Sequence, residues 1–297
     1  MASPTAPTHG KLANLYRWRT GGFIGDGLND LTIGTAAANA ASAYYEVEID
    51  GERTPDTFKW RKDGGAYTTT VAITGAAQTL DEGQTITFGA TTGHTAGDEW
   101  TWGNLKDEAT TEAAATAQIT DSTHRILNPN APPTWTDDGG ANLLTVNFTN
   151  GTATFDNSVG NVDVDGNLGW VPTAALEKVG YLLGWSLTIS LKMGDASICG
   201  NDWSTALAGQ ASGVGSSEAL FIGGDSMIEM LQDAVDGTNE YCLLQLFNYD
   251  PDYDQTGDHF LVWATFDGLT LETNVDGVVP EKTTFKTYGM PSFTANS

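Results

Sequence analysis

Residues 44–102 read YYEVEIDGERTPDTFKWRKDGGAYTTTVAITGAAQTLDEGQTITFGATTGHTAGDEWTW, and this stretch decides the fold class. The segments YYEVEI, DTFKW, TTTVAIT, QTITFGA and DEWTW alternate in polarity or are rich in β-branched residues. DG, DGG, EG and TGHTAGD interrupt them about every ten residues. Five strands at that spacing predict a small antiparallel sandwich or barrel, and an Ig-like β-sandwich is the form expected. Two small-residue stretches flank it, TAAANAASA at 35–43 and DEATTEAAATA at 107–117. The expected organisation is therefore an inserted module, 36–106, within a discontinuous domain made of 1–35 and 107–297.

Working outward, THGKLANLYRW at 8–18 alternates enough for a strand, and GGFIGDGLNDLTIG at 21–34 reads as a Gly-rich connection. After the module, Asn128-Pro129 and Pro132-Pro133 impose an extended or turning backbone. LLTVNFTNGTATFDN then predicts a hairpin at Asn150-Gly151, because both central residues of such a turn must accept positive φ. VGYLLGWSLTISL at 179–191 reads as a long strand. EYCLLQLFNYD, HFLVWATFDGLTLETN and KTTFKTYG supply further strands. DSMIEMLQDAVDG at 225–237 predicts one amphipathic helix, with Ser226 and Glu229 as its capping box and Gly237 as its stop. The predicted class is mainly β, an antiparallel sandwich or barrel with one flanking helix.

The run DTFKW, DGG, ITG, QTL and ITFGATTGHTAGD resembles a module found in tail and other virion proteins of bacteriophages. The outer segments, THGK near the start, THRILNPNAP, LTVNFTNGTATF, the amphipathic helix, and LQLFNYDPDYDQTGD followed by FLVWATFDG, resemble the major tail tube proteins of long-tailed, siphovirus-like bacteriophages. That resemblance implies a β-sandwich with a flanking helix, hexameric rings whose inner sheets join into a continuous barrel, and stacked rings that conduct DNA during ejection. It also implies a virion location, assembly in the host cytoplasm, other tail proteins at the tube ends and no enzymatic role. Plain tube proteins lack the inserted module.

The chain carries 38 acidic against 13 basic side chains, a formal net charge of −25. Residues 1–43 carry an excess of one positive charge, whereas 121–297 hold 23 acids and 5 bases. Such a surface does not hold nucleic acid by neutralising phosphates, but it suits a channel that DNA must pass without sticking. The basic arm Lys11, Arg17 and Arg19 is a candidate contact for an acidic face of a neighbouring subunit. No charged start followed by an apolar run opens the sequence, and Cys199 and Cys242 lie far apart, so synthesis inside the cell without a structural disulfide is expected. No stretch approaches the ~18 apolar residues of a membrane helix, and no membrane partner is expected.

No catalytic signature emerges. His9, His94, His124 and His259 show no metal-site spacing, and there is no nucleophile elbow, phosphate loop or dinucleotide fingerprint. No cofactor or metal is expected. His94, in TTGHTAGD, reads as a turn residue bonded to backbone. The acids Asp250, Asp252, Asp254 and Asp258 open like a calcium loop, but Gly257 comes two places late and the twelfth position lacks Glu. Trp100 and Trp102 share one face of a strand, where they either fill the module's core or, exposed, stack on sugars. That choice separates the tube reading from an alternative, a virion decoration or adhesion protein that binds host-surface carbohydrate through the module.

Overall fold

The computed structural model describes residues 13–18, 20–34, 41–195, 206–220, 241–247, 258–271 and 280–294. They form two compact units: Trp18–Glu177, and residues 1–17 joined to 178–297. Mainly antiparallel β structure, as the alternation predicted, builds both.

The unit Trp18–Glu177 is the first to be completed along the chain. After β1 (Ala13–Arg17), which belongs to the other unit, come β2 (Phe23–Ile24), β3 (Leu31–Ile33), β4 (Ala43–Gly51), β5 (Thr57–Lys62), β6 (Thr68–Ala72), β7 (Gln78–Thr79), β8 (Thr85–Phe88) and β9 (Glu99–Glu108). Then follow β10 (Thr110–Ala113), β11 (Thr116–Ile119), β12 (Thr134–Asp137), β13 (Leu143–Asn147), β14 (Thr152–Phe155) and β15 (Val162–Trp170). One sheet runs β12-β15-β9-β4-β5-β6 with β2 beside β9, a second runs β3-β8-β7, and a third runs β10-β11-β14-β13.

Strand alternation explains where the first core lies. Tyr45, Val47 and Ile49 of β4 and Trp100 and Trp102 of β9 point to one side, against Ile86 and Phe88 of β8. The opposite side of the same strands carries Glu46 and Glu48, opposite Arg61 and Lys59 of β5. Removing each large apolar side chain from water contributes roughly 1.5–3 kcal/mol, so this aromatic core dominates the stability of the sandwich. A second core gathers Leu105, Ile119, Trp135, Phe155, Val164 and Trp170.

The expected division of the chain is replaced by a different one. The cut at 106/107 falls inside β9, which pairs with β4 through Tyr45↔Trp102 and with β15 through Gly166↔Leu105. The compact unit accordingly runs on to Glu177. Residues 21–34, expected as a connection, contribute β2 and β3, with Phe23 in the core beside Trp100. Gly22 permits that docking: its φ is +68°, and a Cβ there would lie 1.8 Å from the Thr101 carbonyl oxygen. Of the expected linkers, 35–40 lie outside the described residues, and 107–117 form the end of β9, β10 and the start of β11. Their small residues serve packing, with Ala117 fully buried in the second core.

The β13–β14 hairpin forms where predicted, with a four-residue loop in place of a two-residue turn. Only Gly151 has positive φ, +61°, and its N–H donates to the Asn147 carbonyl at 3.1 Å. The Asn147 side chain accepts from the Thr149 N–H at 3.0 Å, which tightens the loop as an Asx turn.

In the other unit β1 joins β16 (Glu177–Asp195), β17 (Ala206–Leu220), β18 (Cys242–Phe247), β19 (His259–Leu271) and β20 (Pro280–Thr294). The strand order β1-β16-β17-β20-β19-β18 closes on itself as a barrel. Leu15, Leu244, Leu246, Val262 and Phe285 cluster as its core. Gly215 leaves the space that the Phe285 ring needs, since a Cβ there would lie 2.2 Å from that ring. The helix expected at 225–237 and the acidic loop Asp250–Asp254 lie outside the described residues.

Candidate functional site

The barrel's hairpin β16–β17 is longer than the barrel that it helps to close. β16 has 19 residues and β17 has 15, and their ladder extends from Leu182↔Ala219 to Asp195↔Ala206. At about 3.3 Å per residue, β16 spans roughly 60 Å. On its other edge β17 pairs with β20 only from Val214↔Lys286 to Leu220↔Pro280. The ladder ends where the Gly213 N–H donates to Thr287 Oγ1 at 3.1 Å, and a Cβ on Gly213 would lie 2.6 Å from that threonine. Among the described residues, 206–212 of β17 therefore have a backbone ladder on one side alone.

This part of the hairpin also leaves apolar side chains in water. Trp185 and Leu187 pack against the barrel core, and the Trp185 indole N–H donates to the Phe247 carbonyl at 3.0 Å. Ile189, two residues further along the same row, is 51% exposed because the core has ended, and Val214 on the opposite face is 47% exposed. At the far end of β20, Phe293 packs its ring 5.1 Å from Phe260 and remains half exposed. An open strand edge beside exposed apolar residues is a template for another strand.

The sequence-predicted contact residues fare differently. Lys11 and Arg19 lie outside the described residues; Arg17 sits in β1, paired with Cys242 of β18. Trp100 and Trp102 are both 0% exposed, and Tyr45 stacks on Trp102 at 5.5 Å. Neither indole face is open to a sugar, so the exposed alternative for this pair is corrected: both fill the core. Trp60, at the cross-strand position from Thr68, only flanks that core.

His94 is fully buried and differs from the expected backbone-bonded turn residue. Its Nδ1 lies 3.1 Å from Asp56 Oδ2 and its Nε2 lies 3.0 Å from Asp30 Oδ1, with the Phe88 ring edge-on at 5.2 Å. Asp56, inaccessible apart from 1% of its surface, also accepts the Arg53 N–H at 2.7 Å and the His94 N–H at 3.1 Å. Burial opposes its ionisation, but those bonds prevail and hold its pKa below the ordinary value. Asp98 similarly accepts from Gly27 and Thr95 N–H groups. These carboxylates replace water as partners of a tight loop, and the buried imidazole has no surface on which a substrate could meet it.

Among the described residues no group of three or more His, Cys, Asp or Glu side chains is placed to hold a metal ion. Cys242 is buried with its thiol against the Ala264 carbonyl, and burial pushes its pKa up, so it is a core residue. No described helix is long and apolar enough to cross a membrane. The hairpin's unpaired edge was not foreseen, because ALAGQASGVGSSEAL lacks the β-branched and aromatic residues that announce a strand. Its one sequence signal is the pair of glycines at 213 and 215, where close neighbours leave no room for a side chain.

No protein family and no curated protein matches the chain. Solved structures do show a likeness. A chain from the tail of an empty gene transfer agent particle, computed with helical refinement in C6 symmetry, is 19% identical, with a TM-score of 0.32 over 41% of this chain and 89% of that one. A chain from the virion of a native gene transfer agent particle is also 19% identical, with a TM-score of 0.31 over 41% of this chain and 91% of that one. A likeness at those scores is too slight to carry an argument about what the protein does.

Proposed function

We propose that this chain is a structural virion protein of a phage-like particle, whose copies assemble into rings, hexameric in the resemblance noted above, that stack into a tail tube for DNA. The observation that carries the reading is the β16–β17 hairpin, in which 206–212 of β17 extend beyond the ladder to β20 with no second partner strand among the described residues, while the side chains of Ile189 and Val214 are exposed. Completing that edge with a strand of another copy pairs N–H and C=O groups that have no ladder among the described residues, beside exposed apolar side chains that a neighbouring copy can cover. The barrel of a single chain is filled by its own core, so a DNA passage would have to form between chains. The net charge of −25 suits such a passage, which must release DNA as readily as it admits it.

The acidity also makes assembly depend on salt: like-charged subunits repel at low ionic strength and associate as salt screens them. The sugar-binding alternative lacks its proposed contacts, since Trp100 and Trp102 are buried. Negative-stain electron microscopy across a concentration and salt series tests the proposal. Rings or stacked tubes with a central hole support it, and compact particles without a channel at every condition refute it.

A further inference from the structure

We propose that His124 is a proton-operated catch, which fastens the segment between β11 and β12 to β9 and β15 when its ring is charged and loosens it when the ring is neutral. His124 ends a 3-10 turn, Ser122–His124, whose N-cap Asp121 accepts the Thr123 N–H at 2.8 Å and its hydroxyl at 2.7 Å. The imidazole lies on the Trp170 indole, 4.3 Å between ring centres, and Nδ1 is 3.1 Å from Glu108 Oε2. The His124 and Glu108 side chains are 16% and 9% exposed, so water screens this contact poorly.

The Nδ1 contact to Glu108 is short but poorly aligned, so charge on the ring strengthens it more than direction does. A charged ring gains from both the carboxylate and the indole face. A neutral ring gains less from each and leaves the nearly buried Glu108 without a counter-charge.

The platform under the catch is fixed. The Trp170 indole N–H donates to the Asn104 carbonyl at 3.3 Å, and the Tyr44 ring meets the indole edge-on at 6.3 Å. Beyond His124, the segment is stitched down by Leu127 N–H to the Phe148 carbonyl, Asn128 N–H to the Gly169 carbonyl and Val171 N–H to the Ile126 carbonyl. The catch therefore stands at the near end of a short strap whose far end is held by backbone bonds.

The charged groups facing His124 are Glu108 of β9, Asp121 of its own turn and Asp63 after β5. The neighbouring Arg125 is turned away, donating to the Ile119 and Thr120 carbonyls. Burial opposes a charged imidazole, but Glu108, followed by Asp121 and Asp63, outweighs it, and the pKa is raised above its ordinary 6.5. A raised value means that the contact's contribution is complete below about pH 6.5 and is lost as pH rises through the raised value.

Amide hydrogen exchange of the full chain between pH 6 and 8.5, expressed as protection factors, tests the catch. Leu127, Asn128 and Val171 are compared with amides in β4, in the wild type and in Glu108→Gln, which keeps the ring and removes the charge facing it. Wild-type protection of the strap should fall with rising pH, by about tenfold for each unit by which the ring's pKa differs between fastened and open strap. Glu108→Gln should flatten that profile while β4 is unchanged. Superimposable profiles overturn the proposal, as does an NMR titration placing the His124 pKa at or below 6.5.

Discussion

The two units end their sheets differently. In Trp18–Glu177, β6 ends the large sheet with Thr70 at φ +59°, its N–H taken by Asp50 Oδ2 at 2.8 Å. That kink spoils the edge as a template. β13, which ends the four-stranded sheet, carries a register shift between Leu143 and Thr145. In the barrel unit, β17 instead continues past its partner β20 for another seven residues, 206–212, with one register shift against β16 between Leu191 and Met193 and with Ile189 and Val214 in water. The difference teaches where association belongs: one unit blunts its edge at β6 with backbone strain, and the other carries an edge that no strand among the described residues pairs.

The sharpest way to break this comparison is to excise residues 36–106. Because β9 holds β4, β15 and β2 together, its removal should prevent the remaining segments of Trp18–Glu177 from folding, read as loss of dispersed amide signals from β12 and β15. A well-folded β12–β15 pair in that variant would restore the module as a separable insertion. Less drastically, Trp100→Ala should cost about 3–5 kcal/mol in denaturant unfolding, since it hollows the aromatic core. In the barrel, Gly215→Val forces atoms into the Phe285 ring and the Ser186 carbonyl and should cost about 1–3 kcal/mol.

A double change, Ile189→Ser with Val214→Ser, sharpens the contrast from the other side. Both residues are half exposed, so stability should move within about 0.5 kcal/mol while the concentration needed for assembly rises. Equal assembly of variant and wild type in sedimentation would mean that this face is idle. The smallest effect concerns Glu99, which stands opposite Glu48 on β4. Burial, then Glu46 and Glu48, raise its pKa against the Thr101 hydroxyl and Arg61. Raised in the folded state, it favours folding below its ordinary value near 4.5 and loses that contribution as pH rises through the shifted value. Glu99→Gln should therefore stabilise the protein by about 0.2–1 kcal/mol at pH 7 and by nothing below about pH 4.

Alternation made much of this architecture readable. YYEVEI, DTFKW, TTTVAIT, QTITFGA and DEWTW each became a strand, because a half-buried strand must alternate. Trp100 and Trp102 fell on one face for the same reason. Two kinds of residue misled. Gly-rich 21–34 reads as a connection until the approach of Gly22 to Thr101 shows why bulk is forbidden there. The Ala/Gly/Ser run of β17 has no local preference for a strand, and only its ladders to β16 and β20 make it one. The His94 clamp was unreadable because Asp30 and Asp56 come from distant segments that meet only in the fold.

The central claim, that the β17 edge is where copies join, is tested most directly by amide exchange of residues 206–212 in assembled and unassembled protein, followed by mass spectrometry. The account predicts that this peptide gains protection on assembly while the β6 peptide, 68–72, does not. Unchanged exchange at 206–212 in a protein that has visibly formed rings or tubes would contradict it.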